Sequence, residues 1–493
     1  MPLSRRALLS AGLLGAVAPT PQQTPGPQQA PAPQPTPGTQ PTPGPTDADW
    51  RALAEGLEGS LDRPGTAAYD QARRLVSPRF DHIRPPAIVR CASPADVVET
   101  VRFAARTGQP IVPRGGGHSY VGASTTATGL VLDLRPLNRV GYDAPTRTAT
   151  IGGGAPLIDV YTGLGAHGVS VPSGSCGTVG ISGLTCGGGI GAASSAYGLT
   201  CDGVVAADVV TADGRHRTVD AEREPELFWA LRGGGGGRFG VVTSWRMRTH
   251  PAGSTGTFVL TYPWADAAAV AAGWQSRTAV APDNCWSACQ FASDRTGALS
   301  VRLSGFVLDG DAQPEVTALT AAIGRNPATV TMARQPHVQV LKDRAGAATR
   351  TTHLIGSEIF SRALPAAGIA ALLAVVQSRA ASRRPGLAKF KRMTGAPARV
   401  APETTAFPWH GAHSMLQWLV EPPAIDAAST ADGYTWIDTG HRAVAAWSSG
   451  RYVNYLEPGP TDPGRYHGRH LDRLRRAGAA ADPNGLFRAA YPL

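Results

Sequence analysis

Apolar positions along the chain change period several times, and each change marks an element. Ile88-Val89-Arg90 reads as a strand. Ser93-Pro94-Ala95-Asp96 is a helix start, with Ser as N-cap, Pro in the first turn and an acid near the positive end of the helix dipole. Val97, Val98, Val101, Phe103 and Ala104 then fall at helical spacing, and Thr107-Gly108 is a C-cap signal. Ile111-Val112-Pro113, Leu130-Val131-Leu132-Asp133-Leu134 and residues 147–151 read as strands. A helix is expected from Leu157 to Leu164 and a strand from Val204 to Thr211, turned at Ala212-Asp213-Gly214. Another short helix is expected over Glu226–Leu231.

From about 255 to 420 the pattern differs. Alanine-rich helical segments (265–280, 312–324, 364–382) alternate with strands (255–262, 299–308, 415–420), which predicts an antiparallel sheet backed by helices. The last stretch, 440–493, returns to loops and a terminal helix, with Tyr452-Val453-Asn454-Tyr455 at its front. No repeat of 20–50 residues is visible. The fold class expected is therefore α+β.

The N-terminus belongs to neither pattern. Ser4-Arg5-Arg6-Ala7-Leu8-Leu9 opens an apolar stretch through Ala18, which reads as a twin-arginine export signal and is too short for a comfortable membrane span. Residues 19–46 are almost all Pro, Gln, Thr and Gly, a composition that builds no core and suits an extended tether. Structure is expected to begin near Asp47 with an amphipathic helix. The reading is thus a protein secreted or otherwise placed outside the cytoplasm, with no stable membrane insertion once the signal is removed. Tat export carries folded proteins, which suits a chain that folds around a cofactor.

Composition narrows the classes. The 493 residues exceed one ordinary core, and 42% hydrophobic with 17% charged residues supports a large packed interior. The net charge is +10 and nearly all arginine; the lysines are Lys342, Lys389 and Lys391. Without a basic run or a nucleic-acid-binding signature, the charge does not point to nucleic acid. Six cysteines (Cys91, Cys176, Cys186, Cys201, Cys285 and Cys289) permit disulfides in an exported chain but match no zinc spacing, and no metal is expected. Cys285 and Cys289, four apart, could share a helical face.

Glycine carries the chemistry. Four clusters stand at 115–117, 152–154, 187–191 and 233–237. Glycine lets backbone N–H groups approach an anion, so several such loops suit a long polyanion such as a dinucleotide. None fits the Rossmann fingerprint, and no Walker A sequence is present.

At His118 a family resemblance emerges. Arg114-Gly115-Gly116-Gly117-His118-Ser119-Tyr120 resembles the covalent-flavin loop of the berberine bridge enzyme-like oxidases, whose FAD-binding domain is of the vanillyl-alcohol oxidase and p-cresol methylhydroxylase (PCMH) type. Gly174–Gly180, Gly187–Gly191, Tyr197-Gly198-Leu199, Asp208–Gly214, Leu227–Gly235, Tyr452–Tyr455 and Asp482–Phe487 follow in the family's order, so the likeness covers roughly residues 80–490. It implies a two-subregion PCMH-type FAD-binding domain over 47–252, a substrate domain over 253–440 and a C-terminal segment, 441–493, closing on the first. It also implies FAD held bicovalently, through His118 to the 8α-methyl carbon and Cys176 to C6. An imidazole nitrogen and a thiolate are suitable nucleophiles toward an electron-poor flavin. The same correspondence sets Arg114, Gly115, Gly116, Gly117, His118, Ser119, Cys176, Thr178, Val179, Gly180, Ser182, Gly183, Gly188, Gly189, Gly191, Gly240, Val241, Val242, Tyr452 and Asn454 against the cofactor. Arg238 stands where family members often have Asn, and Cys186 where an aliphatic residue is usual.

The resemblance further implies oxidation of a small-molecule alcohol, whether a sugar, an aromatic alcohol or a secondary metabolite. Tyr455 is the expected base, Tyr452 its flavin-contacting neighbour, and Tyr120, Tyr197 and Gln417 the other active-site groups. A tyrosine is a weak base at neutral pH unless a nearby cation or the reaction field stabilises its phenolate. Val179, three residues after Cys176, is the small residue associated with oxygen access, so O2 is the expected acceptor and hydrogen peroxide the product. Trp409, His410 and Trp418 would suit an aromatic-lined pocket and would equally suit a core. A dehydrogenase using another acceptor, a non-catalytic binding protein on this scaffold and a tethered carbohydrate-binding module are the competing readings; the sequence leaves substrate identity and oligomeric state open.

Overall fold

A computed structural model of the chain describes residues 44–346, 349–459 and 462–493. The twin-arginine segment and nearly all of the Pro-rich stretch lie outside these residues. The first helix, Asp47–Glu55, starts where acid and aromatic positions called for it, with Thr46 and Asp49 forming a reciprocal capping box.

The next layer is a four-stranded sheet. Ala87–Arg90, Leu130–Asp133 and Ile111–Arg114 pair in parallel, and Ser60–Asp62 adds an antiparallel edge. Helix Pro94–Thr107 covers it, capped by Ser93 and Asp96 and ended by Gly108 at φ +66°, the left-handed cap that its sequence signals. Phe487 and its neighbours add to this sheet's edge: Ile111 N donates to the Leu486 carbonyl and Arg488 N to the Ile111 carbonyl, each at 2.8 Å. The chain's end thereby returns to the strand that launches the first glycine loop.

A five-stranded antiparallel sheet follows, in the order Val140–Asp143, Thr148–Gly152, Val241–Arg248, Val204–Val210, His216–Asp220. Its core joins Ile151, Val209, Val219 and Trp245 to Leu157 and Val160 of helix Leu157–Gly165.

The third layer is a seven-stranded antiparallel sheet, in the order Thr329–Pro336, Ser254–Tyr262, Leu299–Leu308, Cys285–Ser293, Gly386–Arg392, Ser414–Val420, Leu354–Phe360. Alternation decides its two faces. Phe258, Leu260, Phe291, Leu303, Phe390, Leu416 and Trp418 turn toward helices Ala267–Val280, Gln313–Ile323, Ala366–Ala381 and Ala427–Val444 and form the largest core. The opposite face carries Gln290, Arg302, Lys389, Lys391 and Gln417. Cys285 and Cys289 share a strand face here, not a helical one, because the segment holding them is the strand Cys285–Ser293. All six cysteines are free thiols, and five of them are buried. The α+β architecture expected from the patterning is the one observed.

Candidate active site

One cavity of about 310 Å³ runs along the first glycine loop and ends beneath the seven-stranded sheet. Gly115–Tyr120, Ser175-Cys176, Val179-Gly180, Ser182-Gly183, Gly235–Gly237, Gly240 and Val242 line its length, and Lys391, Tyr452, Asn454 and Tyr455 line its end.

The first loop is built to receive an anion. Among the described residues the backbone N–H groups of Gly115, Gly116, Gly117, His118 and Ser119 find no protein acceptor. Such a run of unpaired donors is an anion-binding nest. A Cβ at Gly116 would come 2.4 Å from the Gly180 nitrogen, so the two loops touch backbone to backbone there and only glycine fits. The residues therefore suit a long ligand with a diphosphate.

His118 and Cys176 meet at one hydroxyl. Thr178 Oγ1 lies 2.8 Å from His118 Nε2 and 3.7 Å from Cys176 Sγ. Burial pushes the His118 imidazole down to about 4, which keeps it neutral and nucleophilic at neutral pH. Cys176 is the exposed cysteine of the six.

The C-terminal strap sets the tyrosines. Ile359 N donates to the Gly450 carbonyl and Ser449 N to the Ile359 carbonyl, each at 2.8 Å, so the strap pairs along the edge strand Leu354–Phe360. Tyr452 N then donates to Ser357 Oγ at 3.0 Å. Tyr452 Oη accepts from Gly189 N and from Asn454 Nδ2, both at 3.0 Å. The Tyr455 ring stands edge-on to Tyr120 (centroids 5.8 Å apart) and to Tyr452 (5.1 Å). Lys391 Nζ, on strand Gly386–Arg392, donates to Tyr455 Oη at 2.6 Å. Burial raises the Tyr455 phenol above its usual range and lowers the Lys391 ammonium to about 8.

A family model described as an FAD binding domain matches residues 85–220. The uncharacterized FAD-linked oxidoreductase YgaK of Bacillus subtilis (strain 168) is 28% identical over 442 residues, 88% of this chain and 96% of that one. The (R)-6-hydroxynicotine oxidase of Paenarthrobacter nicotinovorans is 37% identical over 188 residues, 38% of this chain and 40% of that one. The solved structure of Physcomitrella patens BBE-like 1 superposes with a TM-score of 0.80 at 26% identity, covering 90% of this chain and 98% of the other. The chain is an FAD-linked oxidoreductase that resembles the berberine bridge enzyme-like enzymes over nine-tenths of its length. Its cofactor is FAD, and the unpaired N–H groups and the glycine-walled cavity are where this oxidoreductase can hold it.

Several expected residues of the oxidoreductase do not reach the cavity. Tyr197 is the clearest: its ring stacks on His250, centroids 4.0 Å apart, and is 39% exposed, away from Tyr455. Arg114 turns back on Asp133 (3.0 Å) inside the protein, so it anchors the loop's base and does not reach forward from it. Val241 packs into the core of the first sheet with Val210 and Leu486, and alternation leaves Val242 to face the cavity. Gly188, Gly189 and Gly191 serve close packing against Phe407, Thr200 and the Ser173 carbonyl, while Ile190 between them reaches the lining. Gln417 is buried on the sheet face that carries Lys391, paired in register between Lys389 and Ser357. Thr178 lies behind the lining, bridging His118 and Cys176.

The aromatic-pocket reading fails for all three residues offered. Trp418 faces the helices and packs edge-on to Trp436. Trp409 seats against Gly450 and donates to the Arg451 carbonyl at 2.9 Å, holding the strap. His410 Nε2 pairs with Asp202 at 2.8 Å. Arg238 donates to the Tyr491 carbonyl at 3.0 Å with its guanidinium over that ring, so it fastens the chain's end to the glycine loop 233–237. Cys186 is a small buried filler at the cavity wall.

Lys391 is the residue the motifs did not reveal. Its signal was compositional: in a chain with 46 Lys and Arg together, two of the three lysines stand two apart on one strand.

Proposed function

We propose that this oxidoreductase is an exported oxidase with bicovalently held FAD that removes two electrons from a CH–OH group. The observation that carries the reading is the Lys391–Tyr455 pair at the end of the cavity that also contains His118 and Cys176. When bound, FAD would supply the two-electron acceptor for the substrate's hydride and an outlet for those electrons to O2, giving hydrogen peroxide.

The chain's own residues handle the proton. With Lys391 as ammonium and Tyr455 as phenol the pair is fully protonated and accepts nothing. After one proton leaves, near a pH of about 8 set by the lowered lysine, Tyr455 Oη can take the alcohol proton as it passes its own proton to the neutral Lys391 amine, which ends as ammonium. Tyr452 and Tyr120, edge-on to Tyr455, fix the phenol's direction. Thr178 aligns His118 and Cys176 for attachment. Val179, at the cavity wall, favours oxygen access on the family's pattern. Solved chains with this fold include an oxidase of chitooligosaccharide and one of xylooligosaccharide with xylobiose bound, which makes sugars a reasonable member of the substrate class. The twin-arginine segment supports export.

Oxygen uptake and peroxide release with a panel of sugars and aromatic alcohols test the reading. Oxidase turnover gives stoichiometric peroxide. Reduction of a dye with negligible oxygen uptake gives the dehydrogenase, and purified protein without flavin removes the enzyme reading altogether.

A further inference from the structure

The sheet face above Tyr455 carries more positive charge than the proton relay uses. Register places Arg302, Gln290, Lys389, Gln417 and Ser357 in one row across five strands. Ser357 is the end of that row that touches Tyr452. Lys391 stands two residues from Lys389 on the same face, about 6.6 Å along the strand. Arg344, from helix His337–Arg344, lies over the Phe306 ring with its guanidinium carbon 4.4 Å from the centroid, next to Arg302.

These cations lack counter-charges. No carboxylate of the described residues lies within 4.0 Å of Lys389, Lys391, Arg302 or Arg344, and every Asp and Glu of the chain is among the described residues. The charged neighbours that act on Lys389 are Lys391, Arg344 and Arg302, all cations. Burial and these neighbours push the Lys389 ammonium down to about 7, which signals an electrostatic cost. Other arginines of the protein do find acceptors: Arg217 and Arg277 pair with Asp213 and Glu315, and the buried Arg238 and Arg392 donate to backbone carbonyls. Lys391 lines the cavity's end and the other three cations lie beside it, on or over the same sheet face, a charge pattern awaiting an anion brought from outside.

We infer that the substrate is an anionic alcohol, whose far end carries a carboxylate or phosphate held by Lys389, Arg302 and Arg344 while its CH–OH faces Tyr455. The inference rests on the oxidase reading for the location of the reacting carbon. The anion would neutralise the cluster, and Gln290 and Gln417 in the same row supply uncharged donors beside it.

The test is calorimetric titration of the flavin-loaded protein at low ionic strength with matched probes: galacturonic acid against galactose, 4-(hydroxymethyl)benzoate against 4-methylbenzyl alcohol, and glucose 6-phosphate against glucose. The acidic member of a pair is expected to bind at least about tenfold tighter, with the advantage shrinking as salt rises. In Lys389→Met and in Arg344→Leu the acid-over-neutral ratio should fall toward one. Preference for the phosphate over the carboxylates assigns the anion's chemistry within the same site. Equal binding of acid and neutral members, no heat from any acidic probe, or a ratio unchanged in both variants overturns the inference. Oxygen uptake with the same probes separates the two readings: turnover of acid and neutral members alike keeps the oxidase and removes the anion site, whereas selective anion binding without turnover keeps the site and removes the oxidase.

Discussion

At the scale of single residues, the Lys391–Tyr455 pair makes the most exacting demands. If Tyr455 takes the alcohol proton while Lys391 receives the phenol's own, Tyr455→Phe should lower kcat/KM by about 10²- to 10⁴-fold in steady-state assays. The pH profile supplies the sign. Wild-type kcat/KM should rise as pH increases through about 8, where the fully protonated pair loses its first proton. In Lys391→Met the rising limb should move to higher pH, because no amine then receives the phenol's proton and the phenol, already above its usual value, must itself ionise. A limb that stays in place would remove Lys391 from the proton path. The sequence made part of this legible. The loops at 114–120 and 174–180 identified His118 and Cys176, and the structure brings both to Thr178 Oγ1. Lys391 stayed hidden because strand register decides which lysine faces a tyrosine 64 positions away, and register is a tertiary fact. Tyr197 shows the reverse failure: its motif matches in order, yet local packing stacks it on His250.

At the scale of elements, the strap from Ser449 to Glu457 depends on a buried charge network. His441, on helix Ala427–Val444, donates from Nδ1 to Glu358 at 2.5 Å and from Nε2 to Glu457 at 2.7 Å. Arg465 adds a bond to Glu358 and Arg451 one to Glu457, both at 3.0 Å. Burial alone would lower the His441 imidazole, but hydrogen bonds and charge from the two glutamates outweigh it and hold the value above 6.5. A raised folded-state value means that the stabilisation is complete below pH 6.5 and disappears as pH rises through the folded value. Thermal melts should therefore show the wild-type midpoint falling as pH rises from slightly acidic upward, with a much flatter profile in His441→Gln. That variant should lose about 3 kcal/mol at low pH, since it breaks a buried pair from one side. Identical pH profiles would mean that His441 is neutral in the fold. Individual elements were well marked in the sequence where capping residues and alternation agreed, as at Ser93 and Gly108. The strands Cys285–Ser293 and Gly386–Arg392 were less legible: both run in the middle of the sheet, and polar or charged residues on the face toward the cavity interrupt the apolar signal.

At the scale of the whole molecule, three sheets meet around one glycine-walled cavity, and the chain's end closes back through Ile111 on the strand that launches the first glycine loop and through Arg238 on the loop 233–237. Patterning alone conveyed the α+β class, because the glycine-rich first half and the alanine-rich second half build different layers. Which layers face each other was not legible, since the contacts that join them come from short loops and the strap. The N-terminal twin arginines carry a separate expectation: Arg5→Lys together with Arg6→Lys should leave the protein in the cytoplasm of the producing cell, measured by immunoblot of the culture medium, and undiminished export would remove the Tat reading. For the account as a whole, the most direct measurement is the visible spectrum of the protein after acid precipitation. A yellow pellet with no flavin in the supernatant is expected, with loss of pellet colour only when His118→Ala and Cys176→Ala are combined. A colourless pellet beneath a yellow supernatant would contradict bicovalent attachment through His118 and Cys176.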